Sequence, residues 1–109
     1  MTSVTIFQNQ HQQYIGFVCQ GHAGYADQGE DIVCAGISAL VITVINALDA
    51  YTDEQFTTRT NEETGLISVR FRESVGHDAQ LLIKTLVLGL EGIQSTYGND
   101  YISLTFKEV

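Results

Sequence analysis

Positive charge is scarce in this sequence: Lys and Arg number 5 against 13 Asp and Glu, a formal net charge of -8. A surface with that balance repels nucleic-acid phosphates and anionic membrane headgroups, so neither is an expected partner and a basic protein fits better. Residues 1–10 carry no basic side chain and no long apolar run, which excludes a secretory signal or transit peptide and gives a cytoplasmic expectation. Cysteine is also rare. In a reducing compartment Cys19 and Cys34 read as two free thiols with separate roles rather than as a disulfide. Uninterrupted apolar runs of membrane-spanning length are missing, because Ser38, Thr43, Asn46 and Asp49 break the stretch 32–50, which also lacks basic flanks. That stretch is a core helix. No glycine-rich linker divides the 109 residues, so a single domain over 1–109 with a small core is expected.

What is present is strongly patterned. Residues 4–7 and 14–18 are β-branched and aromatic around a polar turn, a first hairpin. From Ile32 the apolar positions Val33, Ile37, Leu40, Val41, Val44, Ile45 and Leu48 recur at three- and four-residue spacing, one stripe on a long helix that Asp31 can cap. Residues 56–60 and 66–71 alternate with period two, a second hairpin with Arg59, Arg70 and Arg72 on or near its wet face. Leu81, Leu82, Thr85, Leu86, Leu90 and Ile93 mark a second helix, opened near Asp78 and closed by Gly98, and residues 101–106 a last strand. The order β-β-α-β-β-α-β predicts an α+β two-layer sandwich, a largely antiparallel five-stranded sheet with two helices on one face. An open sheet face on so small a protein would leave apolar surface, and a homodimer is expected to cover it.

The specific segment is Gly21-His22-Ala23-Gly24-Tyr25-Ala26 followed by Gly29-Glu30-Asp31-Ile32-Val33-Cys34-Ala35-Gly36-Ile37-Ser38. A loop histidine precedes a helix whose third residue is a cysteine, where free N–H groups and the positive end of the dipole favour a thiolate. A free thiol is only a few per cent ionised at neutral pH, so a histidine nearby is needed to take its proton. Cys34 is the expected nucleophile and His22 the expected base. Helix-start N–H groups, from Cys34 itself and a neighbour, are expected to hold the tetrahedral oxyanion. Gly21, Gly24, Gly29, Ala23 and Tyr25 suit a substrate loop that orders around an extended peptide and brings His22 to the sulfur only then.

These residues resemble the signature of the Prp family of bacterial cysteine proteases, a Gly-His-Ala-Gly loop paired with an Asp-Ile-Val-Cys-Ala-Gly helix start, and the element pattern on both sides is similar too. The resemblance implies a protease that removes the N-terminal extension of a large-subunit ribosomal protein, beside an aromatic pair, during ribosome assembly. It also implies His22 and Cys34 as the dyad, with no cofactor. A basic ribosomal substrate agrees with the acidic chain.

Plainer roles stand beside these. Cys34 alone is as often a small core residue, and a lone loop histidine more often caps a turn. Asp31 either caps the helix or orients His22, with Asp27 a weaker choice for the second task. Ser38, one turn after Cys34, either meets the sulfur or substrate or bonds back to the carbonyl four residues earlier. Cys19 is most simply a buried thiol, and His11 and His77 are solvated. Two other functions are open: zinc held by Cys19, His22, Cys34 and an aspartate, at a spacing without paired knuckles, and a noncatalytic assembly factor binding a basic ribosomal protein. Nucleotide chemistry is excluded, since no Lys-Ser or Lys-Thr follows the glycine loop.

Overall fold

The computed structural model describes residues 1–109 apart from Gln28, Glu73 and Ser74; Gln28, inside the expected loop, therefore lies outside the described residues. Seven elements follow in the expected order: β1 (Thr2–Gln8), β2 (Tyr14–Gln20), α1 (Ile32–Tyr51), β3 (Phe56–Asn61), β4 (Leu66–Phe71), α2 (His77–Tyr97) and β5 (Ile102–Glu108). The strands form one sheet in the order β3-β4-β2-β1-β5. Three pairings are antiparallel, and β5 joins β1 in parallel because α2 carries the chain across the sheet.

Period-two alternation sets the faces. Val4, Ile6, Phe17, Cys19, Val69, Phe71 and Ile102 point to the helices and are buried. Each large apolar side chain among them adds roughly 1.5–3 kcal/mol relative to exposure. The β1–β2 ladder slips at Phe7/Gln8, and the Gln80 amide stitches the loosened backbone, accepting from Tyr14 N–H at 2.8 Å and donating to Tyr14 C=O at 2.7 Å. That pair ties α2 to β2.

Helix α1 is long and apolar enough by length and composition to cross a membrane, yet its stripe Val33, Ile37, Val41, Val44 and Leu48 is buried on the sheet. It is a core helix. Helix α2 starts one residue earlier than Asp78 suggested: Gly76 is the N-cap, its N–H donates to Glu54 Oε1 at 2.6 Å, and Asp78 sits in the first turn near the positive dipole end. The two helices run antiparallel in close contact, with Gly89 leaving room for Leu40 and Gly36 for Ile93.

Two helices side by side, about 10 Å each, span about four strands spaced roughly 4.8 Å apart. The fifth overhangs. β3 is that strand; Thr58 and Thr60 on its helix-facing side stay exposed, and only Phe56 packs, edge-on to Phe71. The overhang leaves a groove between β3–β4 and α1.

The open face of the sheet is mixed in character. It carries Thr5, Thr57, Arg59, Ser68, Arg70, Thr105 and Lys107, and the Arg70 guanidinium lies 5.1 Å from the centre of the Phe7 ring. Phe7 on β1 and Val18 on β2 point outward as well, so the face is a mixture of hydroxyl, charged and apolar residues. Further exposed apolar side chains are Leu81 and Leu88 on α2, Ile42 over the groove and Phe106 on β5.

Candidate active site

Two cavities meet at the start of α1. The larger, about 560 Å³, occupies the groove and is walled by Ile37, Ile42 and Ile45 on one side and by Thr58, Thr60, Leu66 and Ile67 on the other. The smaller, about 420 Å³, lies under the glycine loop between Gly24, Ala26, Gly29 and Ala35. His22, Cys34 and Ser38 line both. An extended chain running from one cavity to the other passes over the sulfur.

The local geometry starts at Asp31. Its backbone is extended, and its carboxylate accepts the Cys34 N–H at 2.9 Å through Oδ1 and the Tyr25 N–H at 3.0 Å through Oδ2. One residue therefore caps the helix and moors the loop. Burial pushes the Asp31 carboxyl up, but the N–H groups of Cys34, Tyr25, Ala26 and Val33 together outweigh it, and the net direction is down. Both oxygens serve backbone groups, so the structure gives Asp31 the capping role and no bond to His22.

Cys34 projects from the first turn, half-buried, with its Sγ 4.0 Å from His22 Nδ1. That separation is the outer edge of a contact to sulfur, of the kind that tightens when substrate binds. Cys19 is the other free thiol; it is buried, and burial first and the Cys34 charge second push it up to about 11. It stays protonated and packs in the core. His11 and His77 are exposed, away from both cavities, and among the described residues no three His, Cys, Asp or Glu side chains gather in a metal-holding arrangement.

Three expectations change. The Cys34 N–H already donates to Asp31 Oδ1 and the Ala35 N–H to the Asp31 carbonyl, so neither is free for an oxyanion. Ala23 and Tyr25 line neither cavity: Ala23 is buried in the core, and the Tyr25 ring packs edge-on to Tyr97 and Tyr101 at 5.6 and 5.2 Å. Here they anchor the loop. Ser38 makes no back-bond among the described hydrogen bonds, unlike Thr52 and Thr85, which both bond to the carbonyl four residues earlier. Its hydroxyl is available to both cavities. Sequence reasoning missed Asn61, Glu62, Gly65 and Leu66, the hairpin turn that walls the larger cavity, because only the fold brings that turn back to the loop.

The double use of Asp31 has a measurable consequence. Asp31→Ala lowers stability in urea unfolding by about 1 kcal/mol, a typical loss for an N-cap, and Asp31→Asn, which keeps the Oδ1 acceptor but not the Tyr25 bond, recovers part of it. Because the folded carboxyl titrates below its ordinary 3.8, its contribution is complete above that value and lost as pH falls through the lower folded one. Asp31→Asn removes that part of the acid sensitivity.

The sequence profile of the family described as cysteine protease Prp matches residues 1–103. The chain belongs to this family. Its relatives in the Prp family include the ribosomal processing cysteine protease Prp of Staphylococcus aureus, 31% identical over 107 residues, 98% of this chain and 100% of that protein. The protein of the same name from Bacillus subtilis is 32% identical over 101 residues, 89% and 90% of the two chains. Among solved structures, the S. aureus Prp with a covalently linked product peptide superposes with a TM-score of 0.92 at 31% identity, covering 98% of this chain and all of that one. The Prp fold is thus the sheet and helix pair described above, and the family is one of cysteine proteases.

Proposed function

We propose that this protein is a cytoplasmic cysteine endopeptidase that removes the N-terminal extension of a large-subunit ribosomal protein, with Cys34 as nucleophile and His22 as base. The observation that carries this reading is the Sγ to Nδ1 approach of 4.0 Å at the junction of two cavities, on the first turn of a helix. The ribosomal processing activity named for the S. aureus and B. subtilis relatives, and the peptide linked covalently to the former, support the substrate class.

The chemistry follows from those groups. His22 Nδ1 takes the Cys34 proton, and the thiolate, favoured by the helix N-terminus, attacks the scissile carbonyl. The oxyanion then needs a donor the first turn does not supply, and the Ser38 hydroxyl, one turn along and facing both cavities, takes that role. Collapse expels the amine, which leaves with the proton from His22. Water, deprotonated by His22, cleaves the thioester and releases the new carboxylate.

Charge placement supports a basic substrate. Asp27 and Glu30 on the loop and Glu62 and Glu63 on the hairpin turn stand beside the cavities, whereas Arg59, Arg70 and Lys107 project from the opposite sheet face. The apolar walls of the larger cavity suit the aromatic pair next to the cut. The test is incubation with a peptide spanning such an extension, read by mass spectrometry: one cut beside the aromatic pair is the expected result. Binding without any cut leaves the noncatalytic assembly factor as the reading.

A further inference from the structure

We propose that the turn between β3 and β4 positions the base, and that the bare α-carbon of Gly65 decides where the His22 ring stands; this rests on His22 acting on Cys34. The His22 side chain is exposed, and its single side-chain contact among the described hydrogen bonds is the sulfur itself. Among the described residues no buried hydrogen-bond partner holds the ring from the side. Its backbone is held instead: the Gly21 N–H donates to the Thr64 carbonyl at 2.9 Å, so the hairpin turn grips the residue before the histidine.

The grip is closer than a side chain allows. A Cβ on Gly65 would stand 2.5 Å from the Gly21 oxygen, 3.0 Å from its carbonyl carbon and 3.2 Å from His22 Cε1. Gly21 itself also packs closely on the N-terminus, since a Cβ there would lie 2.6 Å from the Met1 oxygen. With Gly21 packed closely on both Met1 and the turn, a Cβ at position 65 must displace the loop relative to the turn. Ordinary contacts of about 3.5 Å or more would be restored by moving the loop by roughly 1 Å. Cε1 is bonded to Nδ1, so the ring nitrogen that faces Sγ at 4.0 Å moves with it. A misplacement of roughly 1 Å costs on the order of a hundredfold in rate. The same turn walls the larger cavity through Asn61, Glu62 and Leu66, so one short segment shapes the peptide groove and sets the base.

The test measures kcat and KM for peptide cleavage and the rate of Cys34 alkylation by iodoacetamide from about pH 5 to about pH 9. Wild type, Gly65→Ala, Gly65→Asn, His22→Ala and Gly98→Ala are compared, with folding checked by circular dichroism. Asparagine tolerates the left-handed backbone of position 65 (φ 68°), so Gly65→Asn isolates the Cβ contact; Gly98 has φ 99° with nothing near its missing Cβ, so Gly98→Ala reports backbone strain alone. The expected result is a kcat lower by roughly a hundredfold in both Gly65 variants, KM moving less than about threefold, and an alkylation profile shifted toward that of His22→Ala, while Gly98→Ala keeps the wild-type profile. Gly65 variants with the wild-type alkylation profile and kcat, beside a His22→Ala that differs, overturn the positioning role and leave the base intact. An alkylation profile and kcat unchanged by His22→Ala overturn the base reading itself and this proposal with it. Failure of both Gly65 variants to fold makes the glycine a fold requirement and also overturns the proposal.

Discussion

Cys34→Ala leaves a folded protein that no longer cuts: cleavage of the extension peptide falls by about three orders of magnitude or more. The fold tolerates the change because the helix start does not depend on the sulfur. Asp31 accepts from the backbone N–H of residue 34, which alanine retains, and the thiol is only half-buried and lines both cavities. Neither the other thiol nor the nearby serine takes over the attack. Cys19, although it reaches the same cavity, is buried and held protonated by a thiol value of about 11. Ser38 is a hydroxyl with no base assigned to it. Mass spectrometry of the peptide after incubation, with circular dichroism to confirm the fold, checks the outcome. Persistent cutting at the same bond by purified Cys34→Ala would remove Cys34 as nucleophile.

The core was legible because periodicity reports it directly. Val33, Ile37, Val41, Val44 and Leu48, five of the seven positions in the expected α1 stripe, are buried on the sheet. Leu40 and Ile45 are half-buried because they flank that stripe, one against Gly89 of α2 and the other on the groove. The proximity of Cys34 and His22 was legible from a motif confined to 18 residues, 21 to 38, which holds the loop and the helix start. What was not legible is whatever depends on who else wants the same atoms. The sequence shows that Asp31 can cap, but not that capping uses the N–H that an oxyanion would need. It shows Tyr25 in a glycine loop, but not that Tyr97 and Tyr101, far along the chain, pack against its ring.

His22→Ala is expected to lower kcat by about 10²–10⁴ near neutral pH, the usual scale for losing a positioned base. Unlike the cysteine variant it keeps its nucleophile, and this sets how the defect varies with pH. Without a base the reactive species is the thiolate that the helix start alone stabilises, and its population grows as pH rises. The gap between His22→Ala and wild type therefore narrows toward high pH, whereas Cys34→Ala stays inactive throughout. KM should change little, because the walls of both cavities are supplied by α1, the hairpin and the glycine loop, and the exposed imidazole makes no other side-chain hydrogen bond among those described. Iodoacetamide distinguishes the two variants independently of any peptide: His22→Ala is still labelled at Cys34, more slowly at low pH, and Cys34→Ala is not labelled there at all. A His22→Ala rate that stays a constant fraction of wild type at every pH would mean that His22 serves binding or loop geometry and that another group takes the thiol proton.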